Sequence, residues 1–318
     1  MNATAQQMTE QVVPSESQLA MAYSVCRDIV RTAAKNFYYA FLVLPKRKRR
    51  ALCAVYAFMR RCDDIADDTS LSLYERRQKL AAWVDGLHRA EAGHATDDPV
   101  LLALTDAQRR FSIPTVLLDQ LAHGTAMDID EAVPDIPGMP AREGDRPLIV
   151  HYKTFEDLYL YCYRVASVVG LVCIRIFGYR DPAAEPLAER LGLAFQLTNI
   201  IRDVKEDAMM DRVYLPEEDF ARFGVSPYEL LSAESVSRFS GLLAMEADRA
   251  REYYRAAEAL IPLIDEDSQP ALWVLATIYR KLLEKIAGHQ YEVFHGKIRL
   301  TTREKLAILG KGFLKRLA

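Results

Sequence analysis

Apolar residues recur at helical spacing in nearly every window of the chain from Leu19 onward. Clear examples of this period are Leu52, Val55, Tyr56 and Met59; Leu158, Tyr161, Cys162 and Val165; and Leu272, Leu275, Ile278 and Leu282. The period breaks at Pro45, Gly93–Pro99, Pro114, Gly178–Pro182, Pro216, Gly224–Pro227 and Pro262–Pro270. No segment alternates like a strand. The pattern therefore predicts an all-α protein of about ten helices.

Two segments depart from this pattern. Residues 1–18 are polar and predict a disordered tail. The stretch at 128–150 holds four prolines, so it cannot form one helix and predicts a long loop. No change in composition marks a domain boundary. We therefore expect a single helical domain over residues 19–300, with a basic helix at residues 301–318 packed on it.

Composition and charge exclude several classes of protein. Half of the 318 residues are hydrophobic, and the formal net charge is −3. A nearly neutral chain has no bulk electrostatic reason to bind nucleic acid, and we expect no nucleic-acid partner. The five cysteines include no C-x-x-C pair, which predicts free thiols rather than a disulfide framework or a zinc site.

The sequence also bears on location. The N-terminus lacks the pattern of a signal peptide. The longest uninterrupted apolar run, Val165–Ile174, is about half as long as a membrane span requires. We expect a cytoplasmic protein, peripheral at most to the inner membrane. The basic, amphipathic segment Lys297–Arg316 fits either transient contact with anionic lipid or packing on the domain.

One helix closes on an acidic cluster. Asp63 and Asp67 are four residues apart and share a helix face, as do Asp64 and Asp68. Like charges at this spacing repel unless cations neutralise them. Carboxylates are the ligands that Mg²⁺ prefers, usually together with substrate phosphates. A solvated acidic helix end is the alternative interpretation.

A second polar row favours the metal site over the solvated helix end. Asn199, Asp203 and Asp207 follow one another at intervals of four along an otherwise apolar helix. Such groups are costly to bury unless they hold ions or hydrogen bonds. Two oxygen-rich rows on separate helices suggest facing walls of a cavity, as in bundles that hold metals between helices. Without histidine partners, this donor set favours Mg²⁺ and a diphosphate ligand over a di-iron centre.

Aromatic and small residues lie within a turn or two of both rows. Aromatics cluster before the first row, and the small-residue run Val165–Gly170 follows three tyrosines. Such residues fit an ordinary core, and they also fit a tunnel for a hydrocarbon chain in which aromatic faces steady a carbocation. A polyisoprenoid diphosphate satisfies all of these features together.

At this point the chain resembles the squalene and phytoene synthase family, which joins two prenyl diphosphates head-to-head. The matching segments occur in the family's order and are Asn36–Ala40, Tyr56–Arg60, Asp63–Asp67, Tyr161–Gly170, Gln196–Asp207 and Arg212–Pro216. The resemblance implies an isoprenoid-synthase-type bundle, a single helical domain around a central cavity. Asn36 replaces the family's usual serine, and Val165–Gly170 looks most like bacterial presqualene diphosphate synthases.

The resemblance also implies roles for individual residues. Two or three Mg²⁺ ions bridging the diphosphate would be held by Asp63, Asp64, Asp67, Asn199, Asp203 and Asp207. The catalytic set, which contacts phosphate oxygens or the departing diphosphate, would be Tyr56, Arg60, Tyr161, Arg202, Arg212 and Tyr214. The substrate would be bound by Lys35, Asn36, Phe37, Phe41, Val165, Ala166, Gly170, Leu193, Gln196 and Tyr279.

The expected reaction is the Mg²⁺-dependent condensation of two farnesyl diphosphates to presqualene diphosphate or squalene, in hopanoid or sterol-type triterpene synthesis. The first alternative is 15-cis-phytoene synthesis from two geranylgeranyl diphosphates, since tunnel length is not readable from the residues. NADPH use and oligomeric state stay open, and other pathway enzymes are possible partners. More distant alternatives are a terpene cyclase, which uses a spacing like that of Asn199, Asp203 and Asp207, and a non-catalytic helical assembly factor.

Overall fold

Helix boundaries follow the capping residues of the sequence. Ser72 and Glu75 form a reciprocal capping box at the start of one helix, and Thr154 and Asp157 do so at another. The Asp98 side chain accepts hydrogen bonds from the first backbone N–H groups of a third helix.

The computed structural model describes residues 14–33, 35–130, 149–150, 152–231 and 236–317. Within them the α-helices are α1 Glu16–Ala33, α2 Lys35–Leu42, α3 Lys46–Ala66, α4 Leu73–Glu91, α5 Pro99–Phe111, α6 Thr115–Asp130, α7 Phe155–Cys162, α8 Val168–Phe177, α9 Ala184–Met209, α10 Glu217–Phe223, α11 Val236–Leu260, α12 Gln269–Gly288 and α13 Thr302–Leu317. A π-helical turn, Tyr163–Ser167, joins α7 to α8, and short 3₁₀ turns occur at Pro227–Leu231 and Ile261–Leu263. The all-α fold class is confirmed.

The two strands found among the described residues form one short parallel pair. β1, Ile149–Val150, pairs with β2, Arg212–Val213, in the register Ile149 to Arg212 and Val150 to Val213. A strand of two residues is too short to show alternation, which is why the hydrophobic pattern does not predict it.

Two predicted boundaries are wrong by a few residues. The tail predicted over 1–18 ends earlier, because Ser15 and Gln18 form a reciprocal cap that starts α1 at Glu16. The predicted loop at 128–150 is shorter at both ends, since α6 continues to Asp130, before the first proline, and β1 occupies 149–150. Residues 1–13 and 131–148 lie outside the described residues.

The C-terminal helix α13 packs on the domain, antiparallel to α12. Lys285 near the end of α12 pairs with Glu304 at 3.1 Å, and Lys315 lies over the ring of Trp273 at 5.0 Å. The outward face of α13 is partly apolar, with Leu306, Phe313 and Leu314 exposed.

The apolar stretch around Val165–Ile174 is longer in the structure than the sequence pattern indicates. Helix residues Phe155–Phe177 form a continuous run of 23 residues, and an 18-residue stretch within it has a mean hydropathy of 1.7. By length and composition the run could cross a membrane. In this structure the same run packs against α9 as a central helix of the bundle. A buried core helix passes the same test, so the run does not by itself indicate a membrane span.

The helix containing Ser167 approaches α9 closely at Gly192. A Cβ atom added to Gly192 would lie 2.5 Å from the Ser167 Cα and 2.7 Å from the carbonyl oxygen of Ala166. Both neighbours are backbone, so the contact cannot be relieved by a side-chain rotation.

We expect Gly192→Ala to lower the free energy of unfolding by about 2 to 3 kcal/mol, because the two helices must separate. Chemical denaturation monitored by circular dichroism measures this. The control is Gly310→Ala on α13, where an added Cβ would meet nothing within 4 Å. Equal stability of the two variants would contradict the close approach.

Candidate active site

An apolar cavity of about 190 Å³ lies between α3, α8, α9 and α12. Eight residues predicted from the sequence as site residues line it: Phe41, Tyr56, Val165, Ala166, Gly170, Gln196, Asn199 and Tyr279. Lining residues Val165 and Phe177 are far apart along the same helical run, so this wall is about 18 Å long at the rise of an α-helix. The cavity therefore has the elongated form that a linear chain requires.

Leu193 is a correction to the prediction. Its side chain is buried in the core and is absent from the cavity wall, whereas its neighbours Leu191 and Gly192 line the cavity. Successive residues of a helix point about 100° apart, so only some positions of α9 can face the cavity. Gly170 does line it, and its missing Cβ also lets α8 approach the Ala188 carbonyl of α9.

Both acidic rows lie at the same end of this cavity. On α3, Tyr56 and Met59 line the wall and Asp63 follows one turn later. On α9, Gln196 and Asn199 line the wall, and Asp203 follows one turn later. We call this end the mouth. The opposite end, the floor, contains Leu52, Phe177, Leu260 and Leu272.

Arginines partly neutralise the first row. Arg60 pairs with Asp64 at 2.6 Å, one turn apart on α3. Arg212 of β2 reaches Asp67 at 3.3 Å. The carboxylates of Asp64 and Asp67 remain about half exposed, so they stay open to a ligand in the solvent.

The second row is more deeply buried and more strongly paired. Arg202 makes two hydrogen bonds to the Asp203 carboxylate, and the Lys297 ammonium lies 2.6 Å from the same group. Burial alone would raise the pKa of Asp203, but the hydrogen bonds and charges of Arg202 and Lys297 lower it. Lys297 also contacts Glu206 at 2.7 Å. Asp203 is thus ionised and held by two cations.

Asp207 is in the opposite electrostatic state. Burial, and then the adjacent charge of Asp203, raise the pKa of Asp207 to about 7. The Arg212 charge opposes this shift, which places Arg212 near both rows, since it also contacts Asp67. A buried carboxylate of this kind is relieved by a bound cation.

The donor set at the mouth fits Mg²⁺. The buried Oδ1 of Asn199 has no hydrogen-bond partner within the described residues, although its Nδ2 donates to Gln196 at 3.3 Å. Carboxylates on α3 and α9 supply further oxygen ligands. Over the described ranges, no three acidic, histidine or cysteine side chains converge on one point. Each row would therefore contribute one or two ligands, with the rest from phosphate and water, as is usual for Mg²⁺.

Stacked aromatic rings border the mouth. Tyr161 stacks on Tyr214 with ring centroids 4.9 Å apart, and Tyr152 lies 5.6 Å from Tyr161. On the cavity wall, Tyr279 stacks on Phe195 with ring centroids 4.4 Å apart. Burial raises the pKa of Tyr56 and of Tyr279, so both phenols stay protonated at neutral pH and can donate hydrogen bonds.

Sequence reasoning missed three residues of this region: Lys297, Tyr152 and Phe195. Lys297 belongs to the basic segment noted at 297–316, but only the fold brings it to Asp203. Three predicted substrate residues, Lys35, Asn36 and Phe37, begin α2, and their side chains lie outside the described part of the chain. Their roles stay predictions.

Comparisons with known proteins agree on one family. A family model described as squalene/phytoene synthase matches residues 30–304. The chain is 34% identical to the 15-cis-phytoene synthase of Synechococcus elongatus, covering 93% of this chain and 94% of that protein. It is equally identical, at 34%, to the phytoene synthase of Mycobacterium tuberculosis, covering 92% and 90%.

Solved structures agree as well. A dehydrosqualene synthase in complex with ligand has a TM-score of 0.80 and 32% identity, covering 93% of this chain and 96% of that one. The squalene synthase HpnC of Alicyclobacillus acidocaldarius has a TM-score of 0.74 and 26% identity, covering 88% and 97%.

The chain belongs to the squalene/phytoene synthase family. It is accordingly a prenyltransferase with the isoprenoid-synthase helical fold. The matched residues include both acidic rows, the aromatic border and the cavity walls. The mouth and the cavity are therefore the candidate active site of this squalene/phytoene synthase family member.

A buried ionic cluster holds the segment of this prenyltransferase that carries Arg212 and Tyr214. Arg249 of α11 binds Asp219 of α10 through both terminal nitrogens, at 2.5 and 3.2 Å, and Glu246 at 2.8 Å. Its guanidinium also lies 4.4 Å from the ring centre of Phe155. Since α10 follows directly on Tyr214, this cluster holds the segment that carries Arg212 and Tyr214.

This cluster predicts a pH effect on stability. Burial, and then the neighbouring Asp219, raise the pKa of Glu246 to about 8, against the opposing charge of Arg249. A raised acid pKa contributes stability below its ordinary value of 4.5, and this contribution is lost as the pH rises through about 8. Between pH 6 and pH 9 the free energy of unfolding of the wild type should fall because Glu246 ionises. For Glu246→Gln we expect this fall to be smaller by roughly 2 kcal/mol.

Urea denaturation at both pH values measures this difference. Glu252→Gln, an exposed position on the same helix, is the control and should follow the wild-type slope. A parallel pH slope for Glu246→Gln and wild type would contradict the buried acid.

Proposed function

We propose that this prenyltransferase joins two molecules of geranylgeranyl diphosphate head-to-head and makes 15-cis-phytoene. The names of its similar relatives support the C20 substrate, because the two relatives described above, each 34% identical, are phytoene synthases. They do not support the farnesyl diphosphate that the sequence resemblance favoured. Farnesyl diphosphate stays the second candidate, since two of the similar solved structures are a dehydrosqualene synthase and a squalene synthase.

One observation carries the reaction class. An elongated apolar cavity is bordered at one end by two carboxylate rows and the cations that pair with them. An apolar chain with a charged diphosphate head matches this division. Because the walls are apolar, water is excluded from the carbon atoms where an allylic cation forms.

Three arginines at the mouth are placed to hold the diphosphate. Arg60, Arg202 and Arg212 each contact a carboxylate of the rows, so their guanidinium groups line the same entrance. Arginine binds phosphate oxygens through paired N–H donors. A diphosphate entering the mouth would compete with these carboxylates for the arginines and so draw the head group to the acidic rows.

Mg²⁺ would be held by Asp63, Asp64 and Asp67 on α3 and by Asn199, Asp203 and Asp207 on α9, and it would neutralise the charge that develops on the leaving diphosphate. The protein residues perform the remaining work. The Tyr56 hydroxyl at the wall is protonated and can donate to a phosphate oxygen. The faces of Phe195 and Tyr279 border the chain and can steady positive charge on it.

Product analysis tests this proposal. Purified protein is incubated with Mg²⁺ and either geranylgeranyl or farnesyl diphosphate, with and without NADPH. We expect phytoene from the C20 substrate without NADPH. Conversion of only the C15 substrate, to presqualene diphosphate or squalene, would replace the proposal by the second candidate. A cyclised product from one substrate molecule, with no dimeric hydrocarbon, would indicate a terpene cyclase instead.

A further inference from the structure

A buried lysine lies beside the floor of the cavity. Lys48, in the first turn of α3, is only 2% exposed. Its ammonium group lies within hydrogen-bond distance of the carbonyl oxygen of Phe177 at 2.6 Å, Asp267 at 2.5 Å and the Ser268 hydroxyl at 3.0 Å, and it forms an ion pair with Asp265 at 3.2 Å. We call these five residues the Lys48 cluster. Lysine is almost never fully buried unless its charge is paired. A buried lysine with four partners therefore indicates that the fold depends on this position.

The cluster joins three helix ends that close the cavity. Phe177 is the last residue of α8, where a cation interacts favourably with the free carbonyls of the helix. Asp267 and Ser268 precede α12, and Lys48 itself starts α3. The next turn of each helix supplies a floor residue, Leu52 on α3 and Leu272 on α12. A displacement of Lys48 would therefore also move these floor residues.

A glycine is also part of this contact between the helix ends. Gly178 follows α8 with φ of +80°, and its carbonyl accepts a hydrogen bond from the Asp265 N–H at 2.9 Å. A Cβ at this position would lie 2.0 Å from the Asp265 carboxylate. The left-handed backbone and the close approach both require glycine here.

The cluster also separates two spaces. On one side is the prenyl cavity, whose wall includes Phe177. On the other is a surface cleft of about 280 Å³ lined by Arg47, Lys48, Arg110, Phe111, Arg175, Ile176, Gly178 and Asp265. The hydrocarbon chain end would have to displace charged, hydrogen-bonded groups to pass from the first space into the second, which is costly.

We propose that the Lys48 cluster seals the floor and thereby limits the length of prenyl chain that the enzyme accepts. Lys48 is a positioning residue, which acts through Phe177 and Leu272 and does not touch the substrate. The inference rests on the proposed function for the substrate class alone, since a sealed floor limits any prenyl chain, whether the natural substrate is C15 or C20.

The test compares Lys48→Met with the wild type on the natural substrate and on its next longer homologue. Methionine keeps most of the buried stem but removes the charge, and the freed Asp265 and Asp267 are about half exposed and can hydrate. We expect the ratio of kcat/KM for the longer to the natural diphosphate to rise roughly tenfold. Lys46→Met, an exposed lysine in the same helical turn, is the matched control and should keep the wild-type ratio.

A purely structural role would lower kcat/KM for both chain lengths together, and an unchanged ratio in a folded Lys48→Met protein would overturn the proposal. If that variant does not fold, Asp267→Asn weakens the same cluster from its half-exposed side and must shift the ratio in the same direction.

Binding separates this proposal from the proposed function. The dissociation constants of non-reacting thiodiphosphate analogues of both chain lengths are measured for wild type and variant. If wild type makes no dimeric product, the proposed function fails, while a changed ratio of dissociation constants still supports the seal. If turnover is as proposed and neither ratio changes, the seal alone fails.

Discussion

Replacing Asp203 by asparagine should lower turnover about a thousandfold while the protein stays folded. Asp203 is the most strongly paired carboxylate of the second row, 16% exposed and held by Arg202 and Lys297. In the proposed function its charge would attract Mg²⁺, and in the structure it pairs with two cations at the mouth. An asparagine keeps the shape and one oxygen but loses the charge.

The structure changes what this variant should do to stability. From the sequence, repulsion within the row predicts that Asp203→Asn leaves folding intact or improves it. Because Asp203 is ion-paired, its lowered pKa indicates that the ionised form is stabilised in the fold, so we expect some loss of stability. Asp207 is the repelled member of the row, and Asp207→Asn should stabilise the metal-free protein instead.

Steady-state kinetics and the thermal shift induced by Mg²⁺ with diphosphate measure both effects. Asp85→Asn removes an exposed carboxylate that pairs with Arg89 one turn away, and it serves as the control with unchanged turnover. Wild-type turnover in Asp203→Asn would contradict the metal role of the second row. An undiminished Mg²⁺-dependent thermal shift would contradict its part in binding.

Much of the fold was predictable because helical periodicity is a local property. The windows around Leu52, Leu158 and Leu272 are all helical in the structure. The π-helical turn at Tyr163–Ser167 was not predictable, since its residues continue the apolar pattern without a proline or glycine. The pairing of β1 with β2 depends on residues far apart in the chain, which no local pattern contains.

The arrangement of site residues along a single helix face was predictable from the sequence. Spacing alone placed Asn199 and Asp203 on one row, and the fold brings that row to the same mouth as Asp63. The counter-ions were less accessible to sequence reasoning. Lys297 meets Asp203 only through the loop between α12 and α13, and Leu193 was misplaced by one step around its helix.

Arg212 has the second largest expected effect. It is the cation placed near both rows, at 3.3 Å from Asp67 and close enough to Asp207 to lower its pKa against the effect of burial. It also belongs to β2, which pairs with β1 and is followed by α10, where Asp219 is bound by Arg249. A fixed cation between two carboxylate rows is suited to receive the charge of a departing diphosphate.

We expect Arg212→Met to reduce kcat/KM by about 10²- to 10³-fold. Arg212→Lys should recover part of the loss, because a lysine keeps the charge but not the paired donors. The control is Arg109→Met, an exposed arginine on α5 remote from the mouth. If Arg212 acts mainly on the leaving diphosphate, the loss should appear as a lower kcat more than as a higher KM. If KM rises and kcat is unchanged, Arg212 contributes to ground-state binding of the substrate instead. Full activity of Arg212→Met would remove Arg212 from the catalytic set.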